Sequence, residues 1–217
     1  MSIDPETLRQ IEELSHDDRP LLVLDVDDVI LEFIRPFPRY LEKQGFRLEL
    51  GSFRLQGNVF HLENGEVAEA DRVRELLTSF FDSQSAWQTV TDGAAEAIET
   101  IARDAEVVLL TAMPHRHRDT RRRYLDEIGL TYPLLTTEMA KGPAIMRLRG
   151  DVARPVAFVD DMPHNLTSAQ EYVPDAHLFH LMAENDLRKF LPPVSDGVTV
   201  VEDWHDARPR ISAALGL

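Results

Sequence analysis

Four short apolar runs punctuate the chain, and each ends in a polar residue: Leu21-Leu22-Val23-Leu24 before Asp25, Val107-Val108-Leu109-Leu110 before Thr111, Pro133-Leu134-Leu135 before Thr136, and Val156-Ala157-Phe158-Val159 before Asp160. Runs this short, apolar at successive rather than alternate positions, suit strands covered on both faces, as in a parallel sheet. Helical patterns lie between them. Gly93 to Arg103 sets Ala94, Ala97, Ile98 and Ile101 on one side, and His115 to Ile128 closes with Gly129 in a C-cap position. Near the start, Asp4-Pro5-Glu6 reads as an N-cap followed by proline at the first helical position, and Leu8, Ile11 and Leu14 recur at helical spacing. A fifth strand is expected in 176–181, a sixth at 198–201, and a closing helix over 203–215. Strand alternating with helix predicts an α/β fold.

The stretch 35–90 breaks this rhythm. It holds aromatics, glycines at 45, 51, 57 and 65, and one helical pattern from Ala70 to Phe81. It is too long for a simple crossover between the first strand and the second, so it reads as an insertion of the kind that serves as a lid or binding loop, with a decorative subdomain as the alternative. The expected organisation is a core of 1–34 and 91–217 with an insertion at 35–90.

Composition narrows the function classes. With 217 residues, 43% hydrophobic and 28% charged, the chain suits one domain with an insertion and a substantial core. Its net charge of −15 repels a polyphosphate backbone, so long nucleic acids are not expected partners. Cysteine is absent, which removes disulfides, zinc-thiolate sites and thiol nucleophiles together and fits a reducing compartment. The first residues lack the basic start and apolar run of a secretory signal, and no stretch approaches the roughly 18 apolar residues of a membrane span. A cytoplasmic location is the expectation, with no membrane partner.

The chemistry then has to come from the strand tips. Asp25-Val26-Asp27-Asp28 follows the first apolar run, and Asp160-Asp161-Met162-Pro163-His164-Asn165 follows the fourth. In an open parallel sheet the carboxyl ends of the strands border the ligand crevice, so the two clusters can face each other there. Carboxylates brought that close repel and raise one another's pKa unless a cation joins them. Hard oxygen ligands without sulfur point to Mg²⁺ rather than zinc, with other positions open to water and phosphate. Thr111, ending the second run, and Lys141, following the third, add a hydroxyl and an ammonium suited to phosphoryl oxygens.

That order, on alternating strands and helices over most of the chain, resembles the haloacid dehalogenase-like superfamily of phosphohydrolases. Asp25-Val26-Asp27-Asp28-Val29 is similar to its first motif, Thr111 to the second, Lys141 to the third, and Asp160-Asp161 with Asn165 to the fourth. The resemblance implies a Rossmann-like three-layer sandwich with a mainly parallel sheet, and a small cap formed by the insertion. It further implies a Mg²⁺-dependent phosphomonoesterase acting on a small phosphorylated metabolite. Asp25 would be the nucleophile forming an aspartyl-phosphate, and Asp27 the acid and then the base. Metal would be held by the Asp25 carboxylate, the Asp27 carbonyl and Asp161, with Asp160 a further ligand or an outer acceptor. Thr111 and Lys141 would hold the transferring group, and Asn165 would orient Lys141 or a metal water. A phosphomutase or phosphotransferase shares these residues, and a non-catalytic interaction protein could keep the fold. Sugar phosphates and nucleoside monophosphates lead the substrate classes.

One dense basic stretch, His115 to Arg123, follows Thr111. Cations in the first turns of a helix oppose its macrodipole, so an anionic neighbour is expected to offset them. Arg116 or Arg118 is a candidate for a second anionic group of the substrate, against pairing with surface carboxylates. His177 and His180 fall on opposite faces of their strand and do not suggest a shared metal. His164 lies inside the fourth motif as a candidate near the site, a solvated loop position being the alternative. Asn165-Leu166-Thr167 matches a glycosylation acceptor, a match without meaning when no export signal accompanies it. Arg54, His61 and Trp87 are candidates for substrate choice within the insertion, against packing for Trp87 and solvated positions for the other two.

Overall fold

The computed structural model describes residues 2–15, 17–51 and 54–217. Helix α1 (Pro5–Glu12) starts where Asp4 accepts hydrogen bonds from the Glu6 and Thr7 N–H groups. Strand β1 (Leu21–Leu24) follows, every residue buried. After the excursion discussed below come α4 (Ala94–Ala102), β4 (Glu106–Thr111), α5 (Arg118–Glu127), β5 (Leu134–Thr136), α6 (Lys141–Arg149), β6 (Val156–Asp160), α7 (Pro163–Tyr172), β7 (His177–His180), β8 (Val198–Val200) and α8 (Trp204–Leu215). The six strands form one sheet in the order β5-β4-β1-β6-β7-β8, all neighbours parallel.

Side-chain alternation along β1 divides the core in two. Leu22 and Leu24 face Ala97, Ile98 and Ile101 of α4, Leu125 of α5, and Trp204, Ala207 and Ile211 of α8. Leu21 and Val23 face Ala144 and Ile145 of α6 and Leu166 and Ala169 of α7. Helices on both faces explain why the strand sequences are apolar throughout. The result is the expected α/β sandwich of three layers.

The chain runs outward from β1 to β4 and β5, then crosses back to β6 on the other side of β1. Neighbouring strands therefore carry connections leading opposite ways at their carboxyl ends, the place where such sheets open a crevice. Leu24 pairs with Val159, and the Asp25 N–H donates to the Val159 carbonyl at 2.9 Å. Register alone therefore sets Asp25 beside Asp160.

Between β1 and α4 the chain builds α2 (Pro36–Lys43), the antiparallel pair β2 (Phe46–Leu48) and β3 (Val59–His61), and α3 (Ala70–Asp82). Phe37, Tyr40, Leu41, Phe46, Val59, Val73, Leu76 and Phe80 form a separate apolar cluster there. The sequence pattern yields α3 but not α2, because prolines at 36 and 38 look like helix breakers. Both sit in the first turn, where no intrahelical N–H is needed. The two chain crossings into this segment are laced together: the Glu32 N–H donates to Thr89, the Thr91 N–H to Ile30, and Leu31 bridges Val90 antiparallel. Among the described residues, no helix is long and apolar enough to cross a membrane.

Candidate active site

Lys141, at the first position of α6, is wholly buried, and its Nζ lies 2.7 Å from Asp25 Oδ1 and 2.7 Å from Asp160 Oδ2. Burial opposes its charge, but Asp160 and Asp25 outweigh that and raise its pKa, so the ammonium is kept. Burial pushes Asp25 up to about 7, with Lys141 opposing and Asp160 adding to the rise. Close packing of α6 on α7 holds the lysine in place. The Gly142 N–H donates to Ser168 Oγ, and a Cβ at Gly142 would sit 2.2 Å from the Ser168 carbonyl oxygen.

Asp25, Asp160 and Asp161 are all buried and can each offer an oxygen within 4.8 Å of the others. Their surroundings differ. Asp160 accepts from the Met162 N–H at 2.8 Å and from Asn165 Nδ2 at 3.0 Å, besides meeting Lys141, so both its oxygens are engaged. No donor reaches the Asp161 carboxylate among the described residues; burial, then Asp160 and Asp25, raise its pKa well above the ordinary value. Its backbone carbonyl does have a partner, accepting from His180 Nε2 at 2.7 Å. One ammonium facing three carboxylates leaves a charge imbalance that a divalent cation would correct, and the open oxygens belong to Asp25 and Asp161.

Thr111, at the tip of β4, accepts the Met113 N–H at 3.2 Å, which leaves its own O–H to donate elsewhere. Asp27 lies in the loop after β1. Its Oδ1 accepts from Gln88 Nε2 at 2.8 Å and from Arg121 at 2.9 Å. Gln88 also donates to the Glu32 carbonyl and takes a bond from the Tyr124 hydroxyl on its own carbonyl. Asp28 adopts a left-handed conformation at φ 58° and turns its carboxylate back onto the Phe33 and Ile34 N–H groups. Burial pushes its pKa up to about 7, the backbone bonds working against that and Asp27 and Asp25 with it.

Asp25, Asp27, Asp28, Thr111, Asp161 and Asn165 line a cavity of about 250 Å³ together with Phe33, Phe81, Ala112, Met113, Pro114, Met162 and the exposed His164. The structure thus gathers Asp25, Asp27, Thr111, Lys141, Asp160, Asp161 and Asn165 around one crevice. Arg116 does not join them. Its guanidinium donates to Thr78 of α3 and to His117, spanning inserted segment and core. Arg118 caps the Leu134 carbonyl. His61 packs on Phe46 and Trp87 on Tyr40, away from the cavity lining, while Arg54 is exposed.

Three contacts are not foreseen from the sequence, those of Arg121, of Gln88 and of His180, the last being read there only as not sharing a metal with His177. Arg121 lies three and four positions before Tyr124 and Leu125, on the inward face of α5, and that spacing was the available signal. Gln88 and His180 carried none, since both act through contacts with residues distant in the chain.

A scan against protein-family models finds no match, and a search of curated proteins finds none either. Solved structures do match. A haloacid dehalogenase-like family hydrolase from Xanthomonas campestris superposes with a TM-score of 0.57 at 15% identity, over 93% of this chain and 98% of that one. A Bacillus subtilis protein assigned as a HAD-hydrolase and solved with magnesium bound gives 0.62 at 13% identity, over 93% and 100%. A Thermotoga maritima protein assigned as a beta-phosphoglucomutase gives 0.58 at 16% identity, over 89% and 99%. Identities this low speak to architecture rather than activity. The likeness extends over nearly the whole length of each partner, and this chain has the haloacid dehalogenase-like fold.

Proposed function

We propose that the protein is a divalent-metal-dependent phosphohydrolase that cleaves small phosphate monoesters through a phosphoryl group carried on Asp25. The observation that carries this reading is the meeting of Asp25, Asp160 and Asp161 within 4.8 Å beside the buried Lys141 ammonium. A carboxylate at a strand tip, neutralised on one side and open to a cavity on the other, supports the reading of Asp25 as a nucleophile for phosphorus.

The donor set fits a hard cation: Asp25 and Asp161 would hold it, the Asp27 carbonyl would be a further donor by the resemblance, and Asp160 would brace Lys141 from outside. The magnesium in the Bacillus subtilis neighbour supports that choice of ion. When bound, the ion supplies charge neutralisation of the phosphoryl oxygens. Asp25 attacks phosphorus as the bond to the leaving oxygen breaks, while Asp27 gives that oxygen a proton. Asp27 then takes a proton from the water that attacks the aspartyl-phosphate, releasing inorganic phosphate and restoring the Asp25 carboxylate. Thr111 donates its hydroxyl hydrogen to a phosphoryl oxygen, and Lys141 neutralises the charge beside Asp25. Transfer to a second hydroxyl would use the same groups, yet the apolar cavity wall offers such an acceptor little to hold it, which favours hydrolysis.

The test is phosphate release from an aryl phosphate with Mg²⁺ and with chelator. Release should depend on metal and vanish in Asp25→Asn while thermal unfolding stays cooperative. Undiminished release in that variant would overturn the reading, and a phosphorylated acceptor in place of free phosphate would convert it to a phosphotransferase.

A further inference from the structure

Apart from the groups around Asp25 and the exposed His164, the cavity has an apolar lining. Phe33 and Phe81 present half-buried rings to it, centroids 6.0 Å apart and planes 27° from parallel, with Met113, Pro114 and Met162 completing the wall. Of the polar groups that line it, Asn165 is engaged with Asp160, Asp28 with Phe33 and Ile34, and Asp27 with Gln88 and Arg121, while the exposed His164 is the one polar side chain of the lining outside the proposed reacting groups and their neighbours.

Cations are placed just as selectively. Lys141 is spent on Asp25 and Asp160, Arg121 is sealed behind Phe81 with its charge turned to Asp27, and Arg116 is held by Thr78 and His117. Among the described residues lining the cavity there is neither lysine nor arginine. A second phosphate would meet one imidazole, that of His164, and no permanent counter-charge. The several hydroxyls of a sugar would face rings and thioethers that form no strong hydrogen bond. A flat apolar group, by contrast, can stack on the two phenylalanines and lie against the methionine sulfurs.

We infer that the leaving alcohol is aromatic or otherwise flat and apolar, so that the substrates are monoesters of the aryl-methyl type rather than sugar or polyol phosphates or bisphosphates. This inference rests on the phosphohydrolase reading and narrows it.

Benzyl phosphate, glycerol 1-phosphate and ribose 5-phosphate, compared with Mg²⁺ present, share alkyl leaving groups, so differences among them report recognition. A kcat/KM for benzyl phosphate at least tenfold above both others supports the inference. Equal or greater values for the sugar or polyol phosphate overturn it while leaving the hydrolase reading intact. Release from none of the three sinks the underlying reading as well. Phe33→Leu and Phe81→Leu should each pull the benzyl-to-glycerol ratio toward one; a ratio that holds in both variants counts against the inference. Calorimetry gives a readout free of turnover. Benzylphosphonate should bind the Mg²⁺-loaded protein at least tenfold more tightly than methylphosphonate, and equal affinities would contradict the proposed stacking.

Discussion

The Arg121 guanidinium, with no surface exposed to solvent, donates to Asp27 Oδ1 at 2.9 Å and to the Gln88 side chain at 3.2 Å. Its Nε and Nη1 have no hydrogen-bond partner among the described residues. A buried guanidinium left half-satisfied costs stability, so its retention points to the group it steers. Together with Gln88 it fixes the Asp27 carboxylate in one orientation and leaves Oδ2 as the less engaged oxygen.

Replacing Arg121 by Lys removes that orientation while keeping a cation. We expect kcat/KM for alkyl phosphates to fall by about 10²-fold, a loss typical of misplaced acid catalysis. For p-nitrophenyl phosphate, whose leaving oxygen needs little proton donation, the fall should be several-fold smaller. Steady-state kinetics on the two esters measures the difference, and equal losses would mean that Arg121 serves packing alone.

Asp28 gives a pH dependence whose sign can be worked out. Its pKa near 7 in the folded protein stands above the 3.8 of an ordinary carboxyl, so its contribution to stability is complete below about pH 4 and is lost as pH rises through 7. Asp28→Asn should therefore raise the melting temperature at pH 8, each kcal/mol recovered being worth about 2–4 °C, and change little at pH 4. Asparagine tolerates the left-handed conformation and can still accept the Phe33 and Ile34 N–H groups, so the fold is kept. Thermal melts of both proteins in chelator, at the two pH values, provide the measurement.

Asp4 behaves in the opposite sense. Burial would raise its pKa, but the bond from the Glu138 N–H, the His115 ring, and the Glu6 and Thr7 N–H groups more than offset this and lower it. Its stabilisation is present above the ordinary carboxyl pKa and disappears as pH falls through the lowered value. Asp4→Ala removes both the α1 cap and the acceptor tying that helix to His115 and Glu138. We expect a loss of about 1–3 kcal/mol at pH 7 by urea denaturation, narrowing toward pH 3.

Gly142→Ala tests the packing that delivers Lys141. The added carbon would lie 2.2 Å from the Ser168 carbonyl oxygen and 2.7 Å from its Oγ, so α6 and α7 must separate. A cost of about 1–3 kcal/mol and loss of most of the activity should follow, the second out of proportion to the first because Lys141 moves with the helix. Circular dichroism melts beside phosphate release would show the two effects.

How much of this was legible beforehand follows from which interactions are local. Leu21 to Asp25 and Val156 to Asp160 each announce a strand and its polar tip within five residues, and parallel register then brings the tips together. Thr111, closing β4, and Lys141, opening α6 beyond the third apolar run, were readable from their order between the two acidic tips. The partner of Asp27 was not. Arg121 sits 94 positions away, and in a row of arginines nothing but its place on the Tyr124 face marks it as the buried one. Likewise, the separate states of Asp160 and Asp161 depend on Asn165, Met162 and Lys141 converging on the first and leaving the second bare.

The lacing of Glu32 to Thr89 and of Leu31 to Val90 means that, seen from the sheet, the long excursion leaves and returns through a single doorway. A short turn inserted beyond Glu32 and ahead of Gln88 would shut that doorway without disturbing any strand neighbour. What remained would be a shallow open bowl with its acid groups still in register. The excursion carries Phe33 and Phe81 of the cavity lining, so on the reading proposed above a redesign of selectivity would begin there, with the strand-tip acids left in place.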